Sequence, residues 1–295
     1  MSTTPIIDGA FLEKLERLAL RWQKSFPGLV GGHNMSRLPG AGQEFLDHRN
    51  FHQGDDLRAV NWRAYLRLEK LFLKMFQVEP RVPVRLLLDA SASMQLGAVT
   101  PKFEFARTLT AALAYVAMIR LDSLCVQPFD ASLQESFLCS GGRHRFVHAV
   151  NFLTRVAVGG RTDYMAIARE FCSRYEQPGL LIVVSDFFDD SDCLRPLQFL
   201  ADFGHELLLV HVWAEEDRSP GWEGQLEITD AETGRRLELT FDRESRQRYT
   251  EAFEGHARAL AGIADRSGGR YVGLSTSTSV EDAVFGPLVR SQSIQ

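Results

Sequence analysis

No stretch of this chain is apolar for long enough to cross a bilayer. The most apolar runs, such as residues 180–184 and 207–212, fall far short of the roughly 18–20 residues that a spanning helix needs, and their β-branched content suits buried strands. Residues 1–5 have neither the basic start nor the apolar core of a signal peptide. Cysteine is scarce. Cys125, Cys139, Cys172 and Cys193 include no pair at CxxC spacing, so neither a zinc site nor a redox pair is indicated. They read as reduced, mostly buried thiols, and the chain as cytoplasmic. GxGxxG, GxxxxGK[ST] and GxSxG are all absent, which leaves a nucleotide site and a serine-hydrolase elbow without support. His48/His52 and His144/His148 are each four apart, yet neither pair comes with an HExxH pattern or a third ligand. The net charge is −5 with Lys and Arg spread along the chain, unlike a general nucleic-acid binder.

What is present is ordinary globular material, 45 % hydrophobic and 24 % charged over 295 residues, enough for one large domain with a small companion. Residues 8–24 predict a helix, because Ile7, Phe11, Leu15, Leu18 and Trp22 form one apolar stripe. A Gly/Pro-rich loop (26–42) follows, then a charged, aromatic segment (44–79) whose Leu71, Leu73 and Met75 suit short strands. From residue 84 strands and helices alternate: strands at 85–89, 124–129, 133–138, 179–185, 206–213 and 271–274, helices at 102–121, 145–156, 163–175, 194–203, 242–266 and 280–289. Such alternation implies a doubly wound, mostly parallel α/β sheet with helices on both faces. A hairpin (225–230 and 236–241, turning at 232–234) interrupts it. The expected division is 1–82 for the N-terminal helix, loop and small β-rich segment, and 83–290 for the α/β domain with its hairpin insertion near 222–242.

Chemistry concentrates where the first strand of the alternation ends. Asp89-Ala-Ser91-Ala-Ser93 offers one carboxylate and two hydroxyls, and open α/β sheets bind ligands beyond the carboxyl ends of their strands. Hard oxygen donors suit Mg²⁺, Mn²⁺ or Ca²⁺ and not zinc. Gly159-Gly160-Arg161-Thr162-Asp163 adds a third hydroxyl from Thr162, and Ser185-Asp186 ends another strand with a second carboxylate. A cation held by few carboxylates keeps residual positive charge and attracts an incoming acid. The blander reading is that Ser91 and Ser93 merely cap a turn. Phe187-Phe188 either anchor their loop or rim a docked partner, and Asp55-Asp56 with Arg58 and Arg63 reads as a salt-bridge network.

With these motifs assembled, the chain resembles a von Willebrand factor A domain, with Asp89, Ser91, Ser93, Thr162 and Asp186 at the positions of its metal-ion-dependent adhesion site. Gly40-Ala-Gly42-Gln-Glu44-Phe45, Arg49-Asn-Phe51, Gly54-Asp55-Asp56-Leu57-Arg58 and Asn61-Trp62 resemble the family called domain of unknown function 58, as does the hairpin with Asp230-Ala-Glu232-Thr233-Gly234. The resemblance spans about 31–274. It implies a magnesium-binding, chaperone-like, non-enzymatic adaptor that holds a protein presenting an acidic residue, with a MoxR-type AAA+ ATPase as partner in maturing or remodelling a complex. Asn61 stands where relatives often carry Asp, Leu66 where they carry Ala, and Arg161 intervenes before Thr162. The rival class is Mg²⁺-dependent phosphotransfer or hydrolysis with Asp89 as nucleophile, as in haloacid-dehalogenase-like enzymes. Those need a second Asp two residues on, where this chain has Ser91.

Overall fold

A computed structural model describes residues 7–21, 44–52, 60–77, 82–120, 122–188 and 192–294. In chain order the elements are α1 (Gly9–Leu15), β1 (Glu44–Asn50), α2 (Trp62–Leu68), β2 (Phe72–Gln77), β3 (Pro83–Asp89), α3 (Lys102–Ile119), β4 (Ser123–Phe129), β5 (Phe137–Cys139), α4 (Phe146–Leu153), α5 (Tyr164–Arg174), β6 (Leu180–Ser185), α6 (Leu194–Asp202), β7 (Glu206–Trp213), α7 (Glu215–Arg218), β8 (Gly224–Thr229), β9 (Arg236–Phe241), α8 (Arg243–Arg266), β10 (Arg270–Ser275) and α9 (Val280–Ala283). The chain divides into two units, residues 1–22 with 82–295, and residues 23–81.

The larger unit is built on a six-stranded sheet of order β10-β7-β6-β3-β4-β5, parallel throughout except for β5. This is the doubly wound, mostly parallel α/β class that the alternation implied. Every residue of β3 and β6 is buried, as expected of central parallel strands covered on both faces. Leu87, Leu181, Val183, Leu207 and Leu209 face one way, into a core completed by Ile167 and Phe171 of α5, Leu197 of α6 and Leu260 and Ile263 of α8. The alternate residues face α3, whose Ala-rich body is buried along almost its whole length. From β3 the chain winds outward to β4 and β5, then returns to place β6 on the other side of β3. That reversal opens a crevice beyond the carboxyl ends of β3 and β6.

Several sequence expectations change. The N-terminal helix stops at Leu15 instead of running to 24. Asp8 caps it, accepting from the Phe11 amide at 2.7 Å, and Ile7, Phe11, Leu15 and Leu18 are buried as the stripe required. Beyond Leu15 the backbone turns so that Leu20 can bridge to Ile294, while Trp22 and Lys24 lie outside the described residues. The helix also belongs to the larger unit, not with the segment up to residue 82: Glu16, just past its end, accepts from the Tyr115 hydroxyl of α3 and pairs with Arg143. Finally, the strand expected over 133–138 shrinks to β5, because Leu133 is used in a bridge to Phe129.

In the smaller unit β1 and β2 pair antiparallel, with an irregularity between Phe45 and Asp47. The segment is less purely β than expected, since α2 lies between the strands. Asn61 serves as its N-cap, accepting from the Ala64 amide at 3.3 Å, so here the amide oxygen does the work that a carboxylate could do. The loop over 26–42 and the Asp55-Asp56-Arg58 cluster lie outside the described residues.

All four cysteines are buried and none forms a disulfide. Burial pushes the Cys172 thiol up to about 11 and raises that of Cys125. Both thiols therefore stay protonated near neutral pH, and the thiolate is the reactive form. A disulfide-exchange reagent is expected to label the four only as the protein unfolds. Prompt labelling of Cys172 in native protein would contradict its packing between α5 and the core.

Candidate metal centre

Three loops meet at the crevice, laced together by backbone bonds. After Asp89 the Ala90 amide donates to the Phe129 carbonyl, and Gly159 donates back to the Ala90 carbonyl at 2.8 Å. Ala92 then donates to the Gly160 carbonyl at 3.0 Å, which fixes the loop before α5 against the loop after β3. Gly160 sits at φ +83°, a conformation side chains rarely adopt, so a glycine is suited to this crossing. The third loop follows β6. There Phe187 holds φ +53°, costly for an aromatic residue and the kind of backbone strain found at functional sites. Its amide is tied to the Ser185 hydroxyl at 2.8 Å.

This lacing brings all five sequence-identified residues to one place. Asp89 is 1 % exposed. Its Oδ1 accepts from the Ser91 amide at 2.9 Å, and its Oδ2 accepts from the hydroxyls of Ser185 (2.5 Å) and Tyr164 (3.2 Å). The Ser91 and Ser93 hydroxyls lie 3.0 Å apart. Thr162 is reached from an unexpected direction. Glu232, at the turn between β8 and β9, accepts from the Thr162 amide at 3.0 Å and from its hydroxyl at 3.3 Å, and also from the Ser91 side chain. Asp186 accepts from the Phe188 amide at 3.2 Å and from Lys102 Nζ at 2.8 Å. Lys102, the first residue of α3, also pairs with Asp217 at 3.1 Å.

Lys102, Tyr164, Asp217 and Glu232 were not identified from sequence as site residues. Lys102 is a lysine at the head of an apolar helix and Tyr164 follows Thr162-Asp163, so both carried a faint local signal. Glu232 stood in a turn and in the hairpin motif that resembles the family, but nothing there pointed to this site.

The electrostatics show a shortage of positive charge. Burial, and next the neighbouring Asp186, push the Asp89 carboxyl up to about 7 against the pull of its hydrogen bonds. Burial also raises Glu232, despite its bonds from Thr162 and Ser91. Burial pulls nearby His211 down to about 3, so this ring is neutral. Lys102 keeps its proton: desolvation opposes the charge, but Asp186 and Asp217 outweigh it and leave the pKa raised. One interior ammonium thus serves Asp186 and Asp217, while Asp89 has only neutral donors.

A divalent cation beside Asp89 would relieve that imbalance, and the donor set fits one. Asp89 with the hydroxyls of Ser91, Ser93 and Thr162 makes a hard, oxygen-only group suited to Mg²⁺ or Mn²⁺. Asp186 is already engaged by Lys102 and supplies charge behind that set. Among the described residues no group of three or more His, Cys, Asp or Glu is placed to hold a metal; the candidate here depends on hydroxyls instead. Beside it lies a cavity of about 460 Å³, lined in part by Ser93, Arg161, Phe188, Glu232, Tyr249 and Phe253. Phe187 and Phe188 both line this cavity, Phe187 almost wholly buried at the base of its loop.

Removing one partner of a buried pair leaves the other charge uncompensated. Lys102→Met is therefore expected to cost about 3–5 kcal/mol in urea unfolding. A loss below about 1 kcal/mol, the range of exposed pairs, would show that Lys102 does not neutralise Asp186.

Comparison with known proteins places the chain among relatives. The family described as protein of unknown function DUF58 matches residues 47–259. An uncharacterized protein of Mycobacterium tuberculosis is 24 % identical over 261 residues, covering 87 % of this chain and 82 % of the relative. Among solved structures, the conserved hypothetical protein BatB from Bacteroides thetaiotaomicron aligns with 72 % of this chain and 98 % of its own at 16 % identity and a TM-score of 0.43. The SpRpn10 VWA domain aligns with 69 % of this chain and 93 % of its own at 12 % identity and a TM-score of 0.41.

Proposed function

This chain belongs to the DUF58 family, and we propose that it is a metal-dependent protein-binding adaptor whose cation captures an acidic residue of a partner. The observation that carries this reading is the convergence of Asp89, Ser91, Ser93 and Thr162 at the crevice between β3 and β6, where buried carboxylates lack matching positive charge. One carboxylate and several neutral hydroxyls leave a bound Mg²⁺ or Mn²⁺ electrophilic, so the chemistry it supplies is the capture of an anionic oxygen. The adjoining cavity gives a partner segment room to approach, and Phe188, Tyr249 and Phe253 offer it apolar contact. A MoxR-type AAA+ ATPase is the partner that the family resemblance suggests.

Phosphotransfer through Asp89 has less support. A nucleophilic carboxylate needs an accessible oxygen, and Asp89 is buried with Oδ2 accepting from both Ser185 and Tyr164. The position two residues on holds a serine, which supplies no acid for a leaving group.

The first test is metal binding itself. Protein stripped with EDTA is expected to melt at higher temperature on adding Mg²⁺, since a ligand at 100 times its Kd stabilises by about 2.7 kcal/mol. Asp89→Asn keeps the shape of the side chain and relieves the buried charge. It is expected to match or exceed the metal-free stability of wild type and to show no response to Mg²⁺. An unchanged Mg²⁺ response would remove Asp89 from the site.

The second test concerns the partner. Capture of a co-expressed MoxR-type ATPase is expected to vanish in EDTA, return with Mg²⁺, and survive moderate salt. Exposed charges are screened within about 10 Å at 0.1 M, whereas a coordinate bond is not. Binding that ignores EDTA and collapses with salt would show that surface charge alone does the holding.

A further inference from the structure

The hairpin of β8 and β9 is an exposed arm whose two strands pair only with each other. Such a ribbon is marginally stable alone, so what fixes its ends matters. Its base is held by Phe241, buried and ring-packed against Trp222 and Tyr249. Its tip is a built turn. Asp230 Oδ1 accepts from the amides of Glu232 (2.9 Å) and Thr233 (2.6 Å), Gly234 donates to the Asp230 carbonyl at 2.9 Å, and Gly234 takes φ +68°. This turn projects one carboxylate, Glu232, onto the hydroxyls of the candidate metal centre.

We infer that Glu232 is a further ligand of that centre, supplied by the chain itself, and that it fills the coordination position which a partner's carboxylate must take over. The inference rests on the metal-dependent reading above. Its geometry is specific. The Thr162 amide holds Oε2 at 3.0 Å and so orients the group, while Oε1 meets the Thr162 hydroxyl at the longer distance of 3.3 Å. Ser91, from a different loop, bonds the same carboxylate. Thr162 and Ser91 are two of the hydroxyl donors, so Glu232 already stands where an acidic ligand has to arrive. It also lines the cavity by which a partner would enter. The occupant that displaces it is therefore an Asp or Glu side chain presented on a narrow segment of a protein, and binding it frees the hairpin tip.

Mn²⁺ makes this measurable, because water-proton relaxation counts the exchangeable waters on the bound ion. The full chain, stripped and loaded with Mn²⁺, is compared with Glu232→Gln and Glu232→Ala, with melting in EDTA confirming that both variants fold. The variants are expected to gain an exchangeable water, to bind Mn²⁺ on the order of tenfold more weakly, and to be quenched by acetate at lower concentration than wild type. Wild type that binds Mn²⁺ with the same hydration and affinity as both variants would overturn the inference alone, leaving Glu232 a hydrogen-bond acceptor. Wild type that binds no Mn²⁺ would overturn the metal-dependent reading and this inference with it.

Discussion

Two carboxylates buried at neighbouring strand ends, Asp89 closing β3 and Asp186 following β6, set the terms for everything around them. Charges of one sign in a low-dielectric interior repel strongly and are poorly solvated. The surrounding elements are arranged to answer that cost. Helix α3 begins with Lys102, whose ammonium is buried to reach Asp186 and Asp217. The Ser185 and Tyr164 hydroxyls and the Ser91 amide converge on Asp89. These answers are unequal. Asp186 receives a full positive charge and Asp89 only dipoles, which is why the Asp89 carboxyl is pushed up to about 7. A residual imbalance of this kind costs stability, and folds tolerate it where the group has a ligand to bind.

The same imbalance explains the placing of the loops. A fully buried β3 and β6 could lead into apolar residues at no cost, yet β3 ends in Asp89 and Asp186 follows β6, at the point where the sheet's winding reverses. The Gly159-Gly160 crossing and the positive φ of Phe187 hold hydroxyls and carboxylates in register there, at some expense in backbone strain. Rigid strands fix the carboxylates, and short, laced loops fix the hydroxyls. Hydrogen bonds from Thr162 and Ser91 hold the hairpin tip that carries Glu232, and bonds of this kind exchange readily with a competing acid.

What could be read from the sequence divides along the same line. The sheet strands were legible because their apolar runs are continuous, and Asp89, Ser91, Ser93, Thr162 and Asp186 were legible because each follows a strand or precedes a helix in a compact motif. Elements decided by partners far away in sequence were not. Helix α1 stops early because Leu20 pairs with Ile294, a contact 274 positions away that no local periodicity reports. Lys102 gave only a faint signal as a lysine at the head of an apolar helix, since only the fold brings Asp186 and Asp217 to it. Glu232 looked like turn material for the same reason, being 70 residues from Thr162. Helix α2 was hidden by its exposure: Leu66 and Leu68 lie open, so no buried stripe marks it.

The chemistry of the donor set bears on why such a site suits holding better than transforming. A catalytic carboxylate must present an oxygen to the reacting atom, whereas Asp89 spends its oxygens on neighbours and offers a bound cation mainly its charge. Hydroxyls add coordination without neutralising the ion, so the remaining attraction falls on whatever anion comes next. Glu232 already holds a carboxylate against the Thr162 hydroxyl. On the proposed reading, a partner's acid would compete against a tethered carboxylate, and its net affinity would be the difference between two similar bonds. That difference would then be decided by the contacts the partner adds along Phe188, Tyr249 and Phe253, which line the cavity, and not by the metal. Selectivity would lie in the cavity wall, while the proposed metal centre would supply the strength and the requirement for an acid.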